Sequence, residues 1–231
     1  MKTNPVLWRV RLAWAALGVL GLVLQLIANV ISIHGFGKSL GSVVNFFSYF
    51  TILTNVAITL WFILGFVSLQ RGQTRWWGDS AEVKGAVIVA GTVTIIVYWT
   101  LLVDIPIHTR IGEVANFLLH LGVPLGIWVD WLLTREAIRR SYTQMMGLWL
   151  IFPIAFMLYT ELRGPFAHFY PYFFMDPNQV GGVGPLILWL IGVAVLFAVV
   201  ATAIYWLYRV RGVDQRQGKV GGVGAGRRRR R

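Results

Sequence analysis

The chain contains no cysteine. Disulfides, thiolate catalysis and cysteine-ligated metal sites are therefore excluded. Charge is also scarce: charged residues make up 13% of the 231 positions, and only nine of them are acidic. A chain this poor in charge and 57% hydrophobic lies outside the range of soluble globular domains. Long polar connections are missing too, which leaves no room for a separate soluble domain.

What fills the sequence is six long apolar runs, at 12–33, 43–69, 85–103, 114–133, 146–162 and 185–208. Each approaches or exceeds the roughly 20 residues that a helix needs to cross a hydrocarbon core. Inside that core no water can satisfy the backbone, so the runs are expected to be helices. The expected class is all-α, a polytopic membrane bundle of six transmembrane helices over 1–208, followed by a basic Gly/Arg-rich tail over 209–231 without regular structure. The first run has a basic lead of Lys2, Arg9 and Arg11, as a secretory signal does. At 22 residues without a convincing small-residue cleavage site it reads as a retained helix.

The net charge of +12 resides in basic residues that alternate between the two sides of the bundle. Eighteen of the 21 Lys and Arg fall before the first run, in 70–84, in 134–145 and after the sixth run, leaving Lys38, Arg110 and Arg163 for the other loops. This asymmetry predicts cytoplasmic termini in the cell membrane and outward-facing loops at 34–42, 104–113 and 163–184. It argues against nucleic acid as a partner and for membrane lipid, to which the arginines at 227–231 would be loosely attracted. The loop 163–184 is rich in aromatics, and Pro165, Pro171 and Pro177 are expected to prevent a continuous helix there.

Polar residues inside the runs carry the functional signal. Ser48, Thr51, Asn55 and Thr59 share one helical face, as do Asn116 with His120 and Gln25 with Asn29. Facing lipid would be costly, so all three stripes should face the bundle interior. Counting from the outer ends at 1.5 Å per residue places Thr51 about 12 Å and His120 about 10 Å deep, with Gln25 at a similar level. The competing reading is local. Hydroxyls in membrane helices commonly bond back to their own helix, and amides hold helices together. Pro124 lacks an N–H, so an α-helical register would leave the carbonyl of His120 without its partner. Asp130 and Glu136 read as decoration of the basic end of the fourth run, and Glu161 with Arg163 as an interfacial contact. The histidines His34, His108, His120 and His168, taken with the acids, match no metal motif.

Three short segments carry a family resemblance: Tyr49-Phe-Thr-Ile-Leu-Thr-Asn55, then Asn116-Phe-Leu-Leu-His120 followed by Pro124, then Tyr170-Pro-Tyr172. In this order the chain resembles the androgen-induced-gene and androgen-dependent TFPI-regulating protein family, especially its compact bacterial six-helix members. The likeness covers 1–208 in helix count and order. It implies an intramembrane hydrolase of fatty acid esters of hydroxy fatty acids, with Thr51 and His120 catalytic and no cofactor. Phe117 and Leu121 stand where eukaryotic members add histidine or threonine. In that chemistry a threonine needs a base within about 2.6–3.2 Å. Asn55 and Asn116 would donate to an oxyanion or orient the ring, with Ser48 and Gln25 on the same polar faces. Two other functions remain open: a transporter or proton-linked carrier in which His120 titrates, and a non-catalytic membrane protein held together by these polar faces.

Overall fold

In the computed structural model the described residues are 5–32, 37, 39–74 and 76–225. His34, Lys38 and the arginines at 227–231 lie outside them. Every element among the described residues is helical. Helix α1 spans Pro5–Ser32, α2 Leu40–Phe47, α3 Phe50–Gln70 and α4 Ala81–Val97. Helix α5 (Arg110–Phe117) runs into α6 (Val123–Leu133), α7 is Tyr142–Trp149, α8 Ile151–Ala167, α9 Pro177–Val180 and α10 Val183–Ala225. Six continuous stretches are long and apolar enough to cross a membrane: Val6–Ser32, Phe50–Gln70, Ala81–Leu102, Arg110–Leu133, Tyr142–Ala167 and Val183–Gly212.

The helices depart from the apolar runs where side chains compete with the backbone ladder. The second run is two helices, not one. Ser48 (φ −89°, ψ 1°) caps α2, and Tyr49 (φ −82°, ψ 129°) is extended before α3 begins. Ser48 Oγ donates to the carbonyl of Val44 at 2.7 Å and lies 2.8 Å from the Tyr159 hydroxyl, while Tyr49 packs edge-on against Phe169 and Tyr172. The fifth run is offset at Leu150, three residues before Pro153. Pro165, however, lies within α8, which ends only at His168 in the left-handed region (φ 48°). Pro171 stays in the following loop, and Pro177 opens α9, where a missing N–H costs nothing. The last helix continues past the apolar run to Ala225, since propagation from an existing helix needs no new nucleus.

Two π-helical turns, Tyr98–Leu102 at the end of α4 and Leu118–Gly122 between α5 and α6, lie beside one another. Helix α1 packs along α3, α5 and α6, brought close by small residues. A Cβ on Gly18 would fall 2.1 Å from Thr59 Oγ1, and one on Gly126 would sit 1.6 Å from the Trp14 ring. Behind α3, Phe50 stacks on Phe152 at 5.0 Å and meets Phe156 and Phe197 edge-on.

Asp130 is not decoration. Its side chain is fully buried, as are those of Arg11 and Lys84. Arg11 Nε donates to Asp130 Oδ2 at 2.8 Å and Lys84 Nζ to Oδ1 at 2.8 Å. Asp79 accepts from Arg11 at 2.5 Å and Glu136 from Lys84 at 2.5 Å. Trp61 presents its ring to both cations, 4.8 Å from Arg11 and 5.1 Å from Lys84. The anticipated Glu161–Arg163 contact is also absent among the described residues, because positions two apart diverge on a helix. Arg163 donates to Asn45 Oδ1 at 2.6 Å instead.

Removing one member of a buried ion network strands the others, at a cost of about 3–5 kcal/mol. Asp130→Ala should therefore lower thermal stability in detergent sharply, because Arg11 and Lys84 lose their shared acceptor. An unchanged Tm would show that the cluster does not hold α1, α4 and α6 together.

Candidate functional site

The break at Ser48–Tyr49 makes Thr51 the second residue of α3, a position whose N–H has no partner within its own helix. The Tyr172 hydroxyl oxygen accepts that N–H at 3.2 Å. Thr51 is buried, and its Oγ1 does not bond back to its helix as Thr92, Thr94 and Thr202 do. It lies 3.1 Å from His120 Nε2 and 3.3 Å from the Tyr172 hydroxyl.

His120 projects from the π turn between α5 and α6. Its Nδ1 is 3.0 Å from the carbonyl oxygen of Asn116. A carbonyl can only accept, so Nδ1 carries the proton, and in the neutral ring Nε2 keeps its lone pair toward Thr51. Tyr98, from the adjacent π turn, stacks on the imidazole with centroids 4.1 Å apart at 24°. The Asn116 side chain donates to the Tyr98 hydroxyl, which fixes the stacking partner.

The π turn also relocates the effect of Pro124. Val123 N–H bonds to the carbonyl of Leu118, five residues back. In that register the N–H missing at Pro124 would have served Leu119, not His120. Asn55 Nδ2 fills the gap, donating to Leu119 O at 2.8 Å and to Thr51 O at 2.8 Å. Asn55 is completely buried and its amide hydrogens are committed to these carbonyls. It braces α3 against the π turn and has no donor left for an oxyanion.

The residues singled out from sequence thus fall into four groups. Thr51 and His120 meet. Asn55 and Asn116 hold the pieces around them, Asn116 orienting the ring through its backbone carbonyl and not through its amide. Ser48 stands apart at the break, bonded to Val44 and Tyr159. Gln25 lines the cavity above the dyad and donates to Asn29 Oδ1 at 2.9 Å. That cavity, of about 500 Å³, includes Thr51, His120, Tyr98 and Tyr172 in its wall. Its size is within the range of small-molecule sites.

Two contributors were not identified from sequence. Tyr172 was visible only as half of Tyr170-Pro-Tyr172, and nothing local tied its hydroxyl to a residue 121 positions away. Tyr98 lies within the third apolar run in an ordinary aromatic pair with Trp99. Burial pushes the Tyr172 phenol up to about 12, against the opposing pull of its hydrogen bonds with Thr51. It stays protonated at neutral pH and can donate.

No protein-family model matches the chain, and no curated protein or solved structure matches it either.

The ring contacts predict a definite tautomer. In ¹⁵N spectra of the protein at neutral pH, His120 should show a pyrrole-type Nδ1 and a pyridine-type Nε2. The opposite assignment would remove Nε2 as an acceptor for the Thr51 hydroxyl.

Proposed function

We propose that the chain is an integral membrane hydrolase of lipid esters in which Thr51 is the nucleophile and His120 its general base. The observation carrying this reading is the 3.1 Å approach of Thr51 Oγ1 to His120 Nε2 on the wall of a 500 Å³ cavity. A threonine hydroxyl is a weak nucleophile until a base within hydrogen-bond reach takes its proton. As Oγ1 attacks the acyl carbon, His120 Nε2 accepts that proton and the carbonyl oxygen becomes an oxyanion. The Tyr172 O–H, whose oxygen lies 3.3 Å from Thr51 Oγ1, is placed to donate to that oxyanion. The C–O bond to the alcohol then breaks, and His120 returns the proton to the departing oxygen. Water, activated by the same imidazole, releases the fatty acid from the acyl-threonine.

Activity-based labelling separates this reading from a carrier or a purely structural role. A fluorophosphonate should modify Thr51 in the purified protein and fail on Thr51→Ala. On a soluble ester, Thr51→Ala, His120→Ala and the double variant should each lose about 10²–10⁴-fold in kcat, with no further loss in the double. Tyr172→Phe keeps the aromatic packing and removes one donor, so kcat should fall about 10²-fold with KM little changed. Additive losses, or unchanged labelling of Thr51→Ala, would refute the dyad.

The orientation within the cell membrane belongs to the same proposal. The basic asymmetry supports cytoplasmic termini and a site in the outer half of the bilayer. With no native cysteine to interfere, an impermeant maleimide should label Asp104→Cys on intact cells and Ala137→Cys only after lysis. The reverse pattern would place the site toward the cytoplasm.

A further inference from the structure

The cavity above Thr51 is polar without being charged. None of the described residues lining it is Lys, Arg, Asp or Glu. Its polarity comes from carboxamides, hydroxyls and the imidazoles of His108 and His120. Gln25 and Asn29, one turn apart on α1, spend one donor and one acceptor on each other. Gln25 Oε1 and Asn29 Nδ2 have no further partner among the described residues. Turning both amides over exchanges the roles and still leaves one acceptor beside one donor. Across the wall, Asn116 adds a third open valence, since its Nδ2 is held by Tyr98 and its Oδ1 is not.

A hydroxyl group donates and accepts at once, so it satisfies the Gln25–Asn29 pair. A carboxylate or phosphate has no hydrogen to give the acceptor, and burying its charge without a cation is costly. On its other side Thr51 borders an apolar crevice of about 40 Å³ beside Phe50, Val97 and Phe197. Polar and apolar surfaces thus meet at the hydroxyl, as the two halves of an amphiphilic ester would.

We infer that the Gln25–Asn29 wall binds the hydroxyls of a neutral polyol, so that the substrate is a fatty acyl ester of a glycerol- or sugar-type alcohol. This rests on the hydrolase reading of Thr51 and His120, and it adds the alcohol. The acyl chain starts in the crevice, and the polyol, released with the proton from His120, leaves through the polar cavity.

The test uses the purified full chain in detergent with three esters: monooleoylglycerol, its phosphorylated counterpart oleoyl lysophosphatidate, and p-nitrophenyl butyrate as a reference without a polyol. Monooleoylglycerol should exceed lysophosphatidate by at least about tenfold in kcat/KM. Replacing both amides (Gln25→Leu with Asn29→Leu) should lower the ratio of monooleoylglycerol to p-nitrophenyl ester by about tenfold. Equal rates on the two glycerol esters, or an unmoved ratio, overturns the inference while Thr51-dependent p-nitrophenyl hydrolysis keeps the dyad standing. If that hydrolysis persists in Thr51→Ala, the hydrolase reading falls and binding decides the headgroup site alone. A monoalkylglycerol ether should then raise the Tm of the Thr51→Ala protein more than a fatty acid of equal chain length does. Equal shifts overturn the polyol site as well.

Discussion

Inside a bilayer every backbone N–H and C=O must find a partner within the protein, and the candidate site exists where this chain breaks that rule and repairs it. Three interruptions converge: the Ser48–Tyr49 break, the π turn at Tyr98–Leu102 and the π turn at Leu118–Gly122. The first and the third each release a group that an uninterrupted helix would have used, and the second brings the Tyr98 ring against His120. Tyr172 takes the freed N–H of Thr51, and Asn55 takes the freed carbonyl of Leu119. The repairs explain why the residues around Thr51 and His120 are polar yet mostly committed. They also explain why the dyad is held by elements from four parts of the chain. A regular helix pair at this level would bury its backbone polarity entirely and offer a ligand only side chains.

The same economy separates two polar levels. Asp130 lies ten residues beyond His120, about 15 Å along the helix axis. There charge is buried in opposed pairs, Arg11 and Lys84 against Asp79, Asp130 and Glu136, with the Trp61 ring close to both cations. Around Thr51 the described residues carry no opposed charges. His120 is held by a carbonyl, a hydroxyl and an aromatic face. A carboxylate beside the ring would stabilise the imidazolium, but it would also draw a permanent charge into the membrane. Backbone orientation of the ring avoids that cost, since the carbonyl of Asn116 fixes the tautomer without ionising.

Much of this was legible in the sequence because it depends on period and length. Apolar runs of about 20 residues gave the spans, and the spacing of Asn116 and His120 gave a shared face on the fourth. The approach of Thr51 to His120 was expected from matching depths, although the count assumed one continuous helix from 43 to 69. The break at Ser48 left Thr51 facing inward but removed Ser48 from the stripe. What could not be read were pairings set by tertiary packing alone. Arg11 and Asp130 are 119 positions apart, and each sits near the end of an apolar run, where solvation is the ordinary expectation. Tyr172 lies in a loop whose aromatics are indistinguishable by composition. Only the folded loop singles out one phenol, by setting its oxygen 3.2 Å from an N–H that the broken helix left free.

That phenol also bears on why a threonine could serve here. The β-methyl of threonine stiffens χ1, so its hydroxyl has fewer directions to explore than that of serine. In mid-helix the favoured choice is the carbonyl three or four residues back, which is where Thr92, Thr94 and Thr202 point. At the second position of α3 no such carbonyl exists on the same helix, because the chain before it is extended. Thr51 Oγ1 is therefore free to turn to His120 and Tyr172, and the stiffness that would hold it on its own backbone in a continuous helix holds it here toward the imidazole. The helix break and the choice of residue are two parts of one arrangement: without the break the hydroxyl would be consumed by its own backbone.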